Sequence, residues 1–389
     1  MGSNEMLSDQ HPASGTDPSE TTEKAGPAAV ARPRARPISS YALLDRPLSG
    51  RGVFRIVDPR LRHKDQLESL VTALREGASI SNLEGKATGT TSVVEMNGFR
   101  YFIEPTYALG VEELTTLLAL SAIAKMNHRN GYKYEATRAA SVRRLPQRRM
   151  QASLLKEISR DVLRSRLQAK GPAWQSGEYL EARGSIYALM TECGLSRGQK
   201  NYVRTLASLL RLSRVGYTNL GRSGSNSINL QSGENLIYFE YDGATNDFIV
   251  WLNARLTSAL ISSRLSLDAG VSVDLAEYRQ LRDGARIIHC HLSEALRASS
   301  DPRKGPTRYS PEDLAEMLYG PAADVKPDTR ARQRNRAITA ALQLNVLKPA
   351  WEVLEVRDKV AGHREPVVVA VDLYHRDVRS PEAKGSPDR

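Results

Sequence analysis

The sequence predicts an α+β fold, mainly α, and three observations carry that prediction. Apolar residues recur at helical spacing over long stretches. Short β-branched and aromatic runs, separated by Gly, Asn and Asp turns, follow two of those stretches. The same order of elements then occurs twice along the chain. The 389 residues allow roughly two or three domains of ordinary size.

The first repeat opens with two extended runs, Val93–Met96 and Phe99–Ile103. They flank Asn97-Gly98, a strong hairpin signal because both residues accept positive φ. Val111–Met126 follows as a helix, with Leu114, Leu117, Leu118, Ser121 and Ala122 three and four residues apart. Tyr179–Cys193 reads as a second helix, stopped by Gly194. Ser196 and Gln199 fit a capping box that starts a third. At 100° per residue Val203, Leu206, Ala207 and Leu210 cluster on one side of it, and Arg197, Lys200, Asn201, Arg204, Ser208 and Arg211 on the other. From Ser196 to Arg222 there are six basic residues and no acid. Strand-like runs follow at Ser227–Gln231, Leu236–Tyr241 and Phe248–Leu252.

The second repeat begins with a helix over Leu275–Leu296 and a short strand at Arg308-Tyr309. Ser310-Pro311-Glu312-Asp313 is a capped helix start with Pro in the first turn, and that helix ends near Gly320. The next helix runs from about Thr329 to Leu347. Ile338, Ala341 and Leu342 form its apolar face; Thr329, Arg332, Gln333, Arg336 and Gln343 lie opposite, with Arg330 and Arg334 toward one edge. No acid occurs between Thr329 and Ala350. Trp351–Arg357 and Pro366–Val371 read as a closing hairpin.

Helix, turn, basic helix and hairpin is the winged-helix order, a helix-turn-helix followed by a β-wing. The expected organisation is therefore two tandem winged-helix domains with disordered tails. Residues 1–50 form an N-terminal tail, 51–262 the first domain with a basic insertion at 129–174, 263–375 the second domain, and 376–389 a C-terminal tail.

The formal charge of +11 attracts polyanions. A helix face of one sign differs from an ordinary solvated face, which mixes signs. The candidate DNA-contacting residues are Arg197, Lys200, Asn201, Arg204, Ser208, Arg211 and Arg222 in the first domain. In the second they are Thr329, Arg330, Arg332, Gln333, Arg334, Arg336 and Gln343. Arginine can pair with the two major-groove acceptors of guanine, and Asn or Gln with adenine. Two cysteines exclude a disulfide-dense scaffold and a four-cysteine zinc site. No apolar run is long enough to span a bilayer, and no apolar signal core is present, so the expected location is cytoplasmic.

Enzyme motifs are weak. Ile80 stands where the first glycine of a phosphate loop belongs, and Ala87 where its hydroxyl belongs, in Gly85-Lys86-Ala87-Thr88. His289-Cys290-His291 could hold a metal on a strand, with Tyr309 or Tyr319 as a DNA-nicking nucleophile, but its flanks have helical periodicity. The expectation is a non-enzymatic protein without cofactor, metal or catalytic residues.

From Leu252-Asn253-Ala254-Arg255-Leu256, through Arg286-Ile287-Ile288-His289 and Asp301-Pro302-Arg303-Lys304-Gly305, to Thr329-Arg330-Ala331-Arg332-Gln333-Arg334 and the Leu344–Val356 run, the chain resembles plasmid replication initiators. The IncQ-type replication protein C and the TrfA-type initiators are the forms it is most like. The long insertion Lys133–Trp174 departs from that pattern. The resemblance implies tandem winged helices, binding to repeated origin sites (iterons), local duplex opening and recruitment of host replication proteins, with a homodimer as a further candidate assembly. A transcriptional repressor or partition-type DNA binder is the alternative, and a tyrosine-dependent origin-nicking enzyme a third.

Overall fold

The computed structural model describes residues 41–375, apart from 52, 61, 63–65, 76–86, 97–98, 130–179, 224–226, 244, 262–269, 296–304, 323–324 and 360–364. The expected tails up to residue 40 and beyond 375, the Arg32–Pro37 stretch, most of the basic insertion and the Gly85-Lys86 segment lie outside the described residues.

The described part is an α+β structure with two units of the same topology. In the first, helix α2 (Val111–Arg129) is followed by strand β4 (Glu181–Ser185), helices α3 (Ile186–Glu192) and α4 (Gln199–Ser213), and strands β7 (Ile237–Asp242) and β8 (Asp247–Leu252). Its sheet has the order β4-β8-β7, all antiparallel. In the second, helix α7 (Asp283–Ala295) is followed by β10 (Thr307–Tyr309), α8 (Pro311–Tyr319), α9 (Pro327–Leu342), β11 (Trp351–Asp358) and β12 (Val367–His375). Its sheet has the order β10-β12-β11. Both therefore have the winged-helix order, with the last strand between the first strand and the penultimate one.

Several boundaries differ from the sequence reading. Residues 181–185, expected to open a helix, form β4 against β8, with Ala182 buried; Ser185 then caps α3 by accepting from the Ala188 amide at 3.2 Å. The expected 275–296 helix is two, α6 (Leu275–Gln280) and α7, separated at Asp283, whose φ is +30°. Strand β5 (Val215–Ser223) was not expected. It joins β6 (Ser227–Asn235) to β2 (Ser92–Met96) and β3 (Phe99–Pro105) in a second sheet of order β2-β3-β5-β6. The β5–β6 hairpin is thus an insertion, and only β7 and β8 make the first wing. The predicted capping box at Ser196 does not form either. The helix starts after the extended Gly198, and Ser196 instead accepts from Asn201 Nδ2 through its carbonyl at 3.0 Å and its hydroxyl at 3.2 Å.

The largest correction concerns residues 41–50, placed in the N-terminal tail. They form strand β1 (Tyr41–Asp45), antiparallel to β9 (Gly270–Asp274), and a 3-10 turn over Arg46–Ser49. Ala42, Leu43, Leu44 and Leu48 are buried. Four such residues were too few to register as a core segment, and their partner strand lies more than 200 residues away.

One continuous apolar core runs through both units. Thr115 on α2 and Tyr278 on α6 share a hydroxyl hydrogen bond of 2.8 Å, and Arg279 Nη2 donates to the Glu192 carbonyl at 2.9 Å. A strap after β1 adds a second tie. The Arg55 amide donates to the Leu109 carbonyl at 3.0 Å, and the Ile56 amide to the Leu318 carbonyl at 2.7 Å. Its close approach depends on glycine. Gly320 ends α8 with φ +82° and ψ −175°, and an added Cβ would lie 2.9 Å from the Arg55 guanidinium carbon. That backbone region is essentially confined to glycine. Gly320→Ala should destabilise the fold by about 1–3 kcal/mol in urea unfolding. An unchanged midpoint would show that position 320 does not require glycine's backbone conformation.

Candidate nucleic-acid interface

The two basic helices, read as equivalents, are not equivalent in the fold. On α4, Arg197, Gln199 and Lys200 are exposed at the amino-terminal end. The Arg197 guanidinium lies 5.9 Å from the centre of the Tyr187 ring, which is itself 38% exposed. Asn201 is half-buried, its amide committed to Ser196. Beyond it the helix is covered. Arg204 reaches Glu112 at 3.7 Å. Ser208 is buried and donates to Glu113 Oε1 at 3.0 Å. Arg211 is 0% exposed and donates to the same oxygen at 3.2 Å. Ser208 and Arg211 do not face outward, whereas the Arg204 side chain stays 38% exposed beside Glu112. Their partners are acids in the first turn of α2, where carboxylates are favoured by the helix dipole. Helix α1 (Leu67–Arg75) packs on α4 as well, bringing Glu68 within 3.9 Å of Arg211. Arg222 lies on β5 opposite Ile228, and its side chain falls outside the described residues.

Glu113 is the hub of this covered region. It is 0% exposed and accepts from Arg62 Nη2, Arg211, Ser208 and the Gly110 amide, the last at 2.8 Å. Burial alone would push its pKa up; the Arg62 and Arg211 guanidiniums more than offset this and hold it below the usual carboxylate value. Its neighbour Glu112 is pushed up, by burial first and by the Glu113 charge second.

On α9 the reverse holds. Thr329, Arg332, Arg334, Asn335, Arg336, Thr339 and Gln343 are exposed. At 100° per residue Thr329, Arg332, Arg336, Thr339 and Gln343 fall within an arc of about 80° along roughly 20 Å of helix. Ala337, Ile338 and Ala341 are buried on the other side, so the helix cannot turn this stripe inward. The arrangement presents a row of polar side chains to the outside, of which Thr339 donates its hydroxyl to the Asn335 carbonyl at 3.0 Å. Arg336 is hydrogen-bonded to Tyr319 at the end of α8. Arg334 approaches Glu312 at 3.9 Å, both side chains being open to solvent, where such a pair contributes little. Arg330 requires correction. It is 6% exposed and donates through Nε to Glu312 at 2.7 Å, through Nη1 to the Gly320 carbonyl at 3.0 Å, and to Gln333 Oε1 at 3.1 Å. It is a tie between α8 and α9, and Gln333 is half-buried beside it.

Beside this stripe lies a groove of about 500 Å³. Thr329, Arg332, Gln333 and Arg336 form one wall; Arg55, Asp58, Thr88 and Thr90 belong to the other. Of these, Thr339 was within reach of the sequence reading, being in phase with Arg332 and Arg336. The far wall was not, since nothing in the spacing of residues 55–90 relates them to residue 332.

The His-Cys-His triplet lies on α7. His289 Nε2 pairs with Glu277 at 3.0 Å, His291 Nδ1 with the Ser49 carbonyl at 2.8 Å, and Cys290 is buried. The two imidazoles thus address different neighbours. Among the described residues no group of three or more His, Cys, Asp or Glu could hold a metal ion. Nor is any described helix long and apolar enough to cross a membrane.

Glu113→Ala leaves Arg211 and Arg62 without their buried counter-charge and should cost about 3–5 kcal/mol in denaturant unfolding. Because the folded pKa of Glu113 is depressed, its contribution is present above the unfolded value of 4.5 and lost as pH falls through the folded value. Wild type should therefore lose stability through this acid window, and the Glu113→Gln difference should shrink there. A difference independent of pH would contradict the assignment.

No family model matches the chain, and no curated protein does. Among solved structures it is similar to crystal structures of RctB. A selenomethionine derivative of domains 2 and 3 aligns with a TM-score of 0.42 at 11% identity, covering 74% of this chain and 90% of that one. A structure of RctB residues 155–483, domains 2–3, aligns with a TM-score of 0.41 at 12% identity, covering 73% and 89%.

Proposed function

We propose that this chain is a sequence-specific double-stranded DNA-binding protein that acts as a plasmid replication initiator, with α9 as its principal reading helix. One observation carries the reading: the outward stripe of Thr329, Arg332, Arg336, Thr339 and Gln343, without an acid among them, on the third helix of a winged-helix unit. In this topology the third helix lies in the major groove and the wing follows the backbone. Arg332 and Arg336 reach base edges, Arg334 and Asn335 lie along phosphates, and the exposed tip of α4, with Arg197 and Lys200, makes a smaller second contact. Two contacts in one chain raise each other's effective concentration on a composite site.

Binding to repeated origin sites, duplex opening and recruitment of host helicase or initiator follow from the resemblance of Leu252–Val356 to plasmid initiators. On this reading the protein works in the bacterial cytoplasm, on the plasmid, with no catalytic step of its own. Duplex opening then derives from the deformation energy of several bound copies at flexible steps.

With Arg211 and Arg330 buried in the fold and Arg332 and Arg336 at base edges, Arg197, Lys200 and Arg334 are left to meet phosphates, so log affinity should fall against log salt with a slope of about −3. Arg332→Ala with Arg336→Ala should weaken specific binding by roughly 2–6 kcal/mol and relax base preference, measured by fluorescence anisotropy against specific and scrambled duplexes. Arg211→Ala should instead lower stability first. If the double variant binds as wild type does, α9 is not the reader.

A further inference from the structure

The far wall of the groove beside α9 belongs to neither wing nor reading helix. It is built from the strap after β1 and from the loop before β2, at Arg55, Asp58, Thr88 and Thr90. We propose that this wall is a second DNA-contacting surface, holding the sugar–phosphate strand that borders the groove read by α9. The inference rests on the reading of α9 as a DNA-binding helix.

Four features carry it. The first is composition: Arg55, Arg332 and Arg336 line one groove together with Thr329 and Thr90, and Asp58 is the acid of that lining. The second is the floor, where buried Val53 and Leu109 offer an apolar surface suited to the faces of deoxyriboses. The third is rigidity. The Thr88 and Gly89 amides both donate to the Thr106 carbonyl at 3.0 Å, and Thr88 Oγ1 accepts from the Ala108 amide at 3.1 Å. A Cβ on Gly89 would fall 1.7 Å from the Pro105 carbonyl oxygen, so only glycine lets this loop lie against the end of β3. Arg55 is held in turn by its amide bond to Leu109 and by the close fit of its guanidinium on Gly320. A wall preorganised in this way meets a ligand without ordering cost. The fourth is electrostatic: the lining holds three arginines against one acid, a balance that favours an anion.

The channel is open along its length, which suits a continuous strand. A phosphodiester chain meets a cation on either side, and its register along α9 is then set by a part of the molecule some 270 residues away in sequence, by the difference between Arg55 and Arg332. Asp58 repels phosphate at one end and so limits how far an arbitrary strand slides in.

The test uses the full chain and a mixed-sequence duplex of about 30 base pairs, roughly three helical turns. Thr90→Glu and Arg55→Gln should each weaken binding about three- to tenfold, and Arg55→Gln should reduce the salt slope by about 0.9, the loss of one phosphate contact. Asp58→Asn should strengthen binding about threefold. Thr90 and Asp58 are exposed, so these variants keep the fold. Thermal unfolding of Arg55→Gln and of Arg55→Lys separates a loosened strap from a lost contact, because Arg55→Lys retains the slope. Duplex affinity and slope that ignore all of these changes, while still responding to Arg332→Ala with Arg336→Ala, overturn the second wall and leave α9 as reader. Loss of response in both sets overturns the reading itself.

Discussion

A single buried carboxylate, Glu113, decides how this molecule divides its positive charge. Four donors from separate segments converge on it: Arg62 of the strap, the Gly110 amide before α2, and Ser208 and Arg211 of α4. A charge without solvent is tolerated only when so surrounded, and the surrounding groups are then no longer available to anything outside. Arg211, one of the cations that make α4 look like a DNA-reading helix, is spent within the fold. Among the described residues of the two helices, the start of α4 and the stripe of α9 face outward.

The two units therefore share a topology and differ in use. In the first, α1 and the acidic turn of α2 cover the third helix, and the unit becomes part of the frame. In the second, the buried tie runs through one arginine, Arg330, at the amino-terminal end of α9, and the polar residues of the stripe further along stay exposed. The same strap that supplies Arg62 to the first unit lays Arg55 and Ile56 against the end of α8. Frame and reader are in this way held in one body.

Much of this was legible in the sequence where the determinants are local. The Ser310 capping box, the Gly320 stop, the turn-flanked wing strands and the apolar stripes of α2 and α9 depend on residues within a few positions of each other, and the structure has them as expected. The misreadings have one physical source. Whether an amphipathic helix shows its polar face to water depends on what packs there, and the covering pieces of α4 come from residues 62, 68 and 112–113. A helical period places Arg211 about 80° round the helix from Val203, yet cannot tell solvent from a distant glutamate. Strands β1 and β4 were missed for a related reason: each is five residues long and acquires its identity from a partner far away, β9 or β8. Arg55 and Thr90 carry no local signal at all and emerge only from the fold.

The central claim is that α9, through an outward stripe that carries no acid, reads duplex DNA. DNase footprinting of the full chain over the DNA flanking its coding region tests it most directly. The account predicts evenly spaced protected direct repeats that disappear when Arg332 and Arg336 are both replaced by alanine. Uniform cleavage at every protein concentration, or protection that persists without those two arginines, would contradict it.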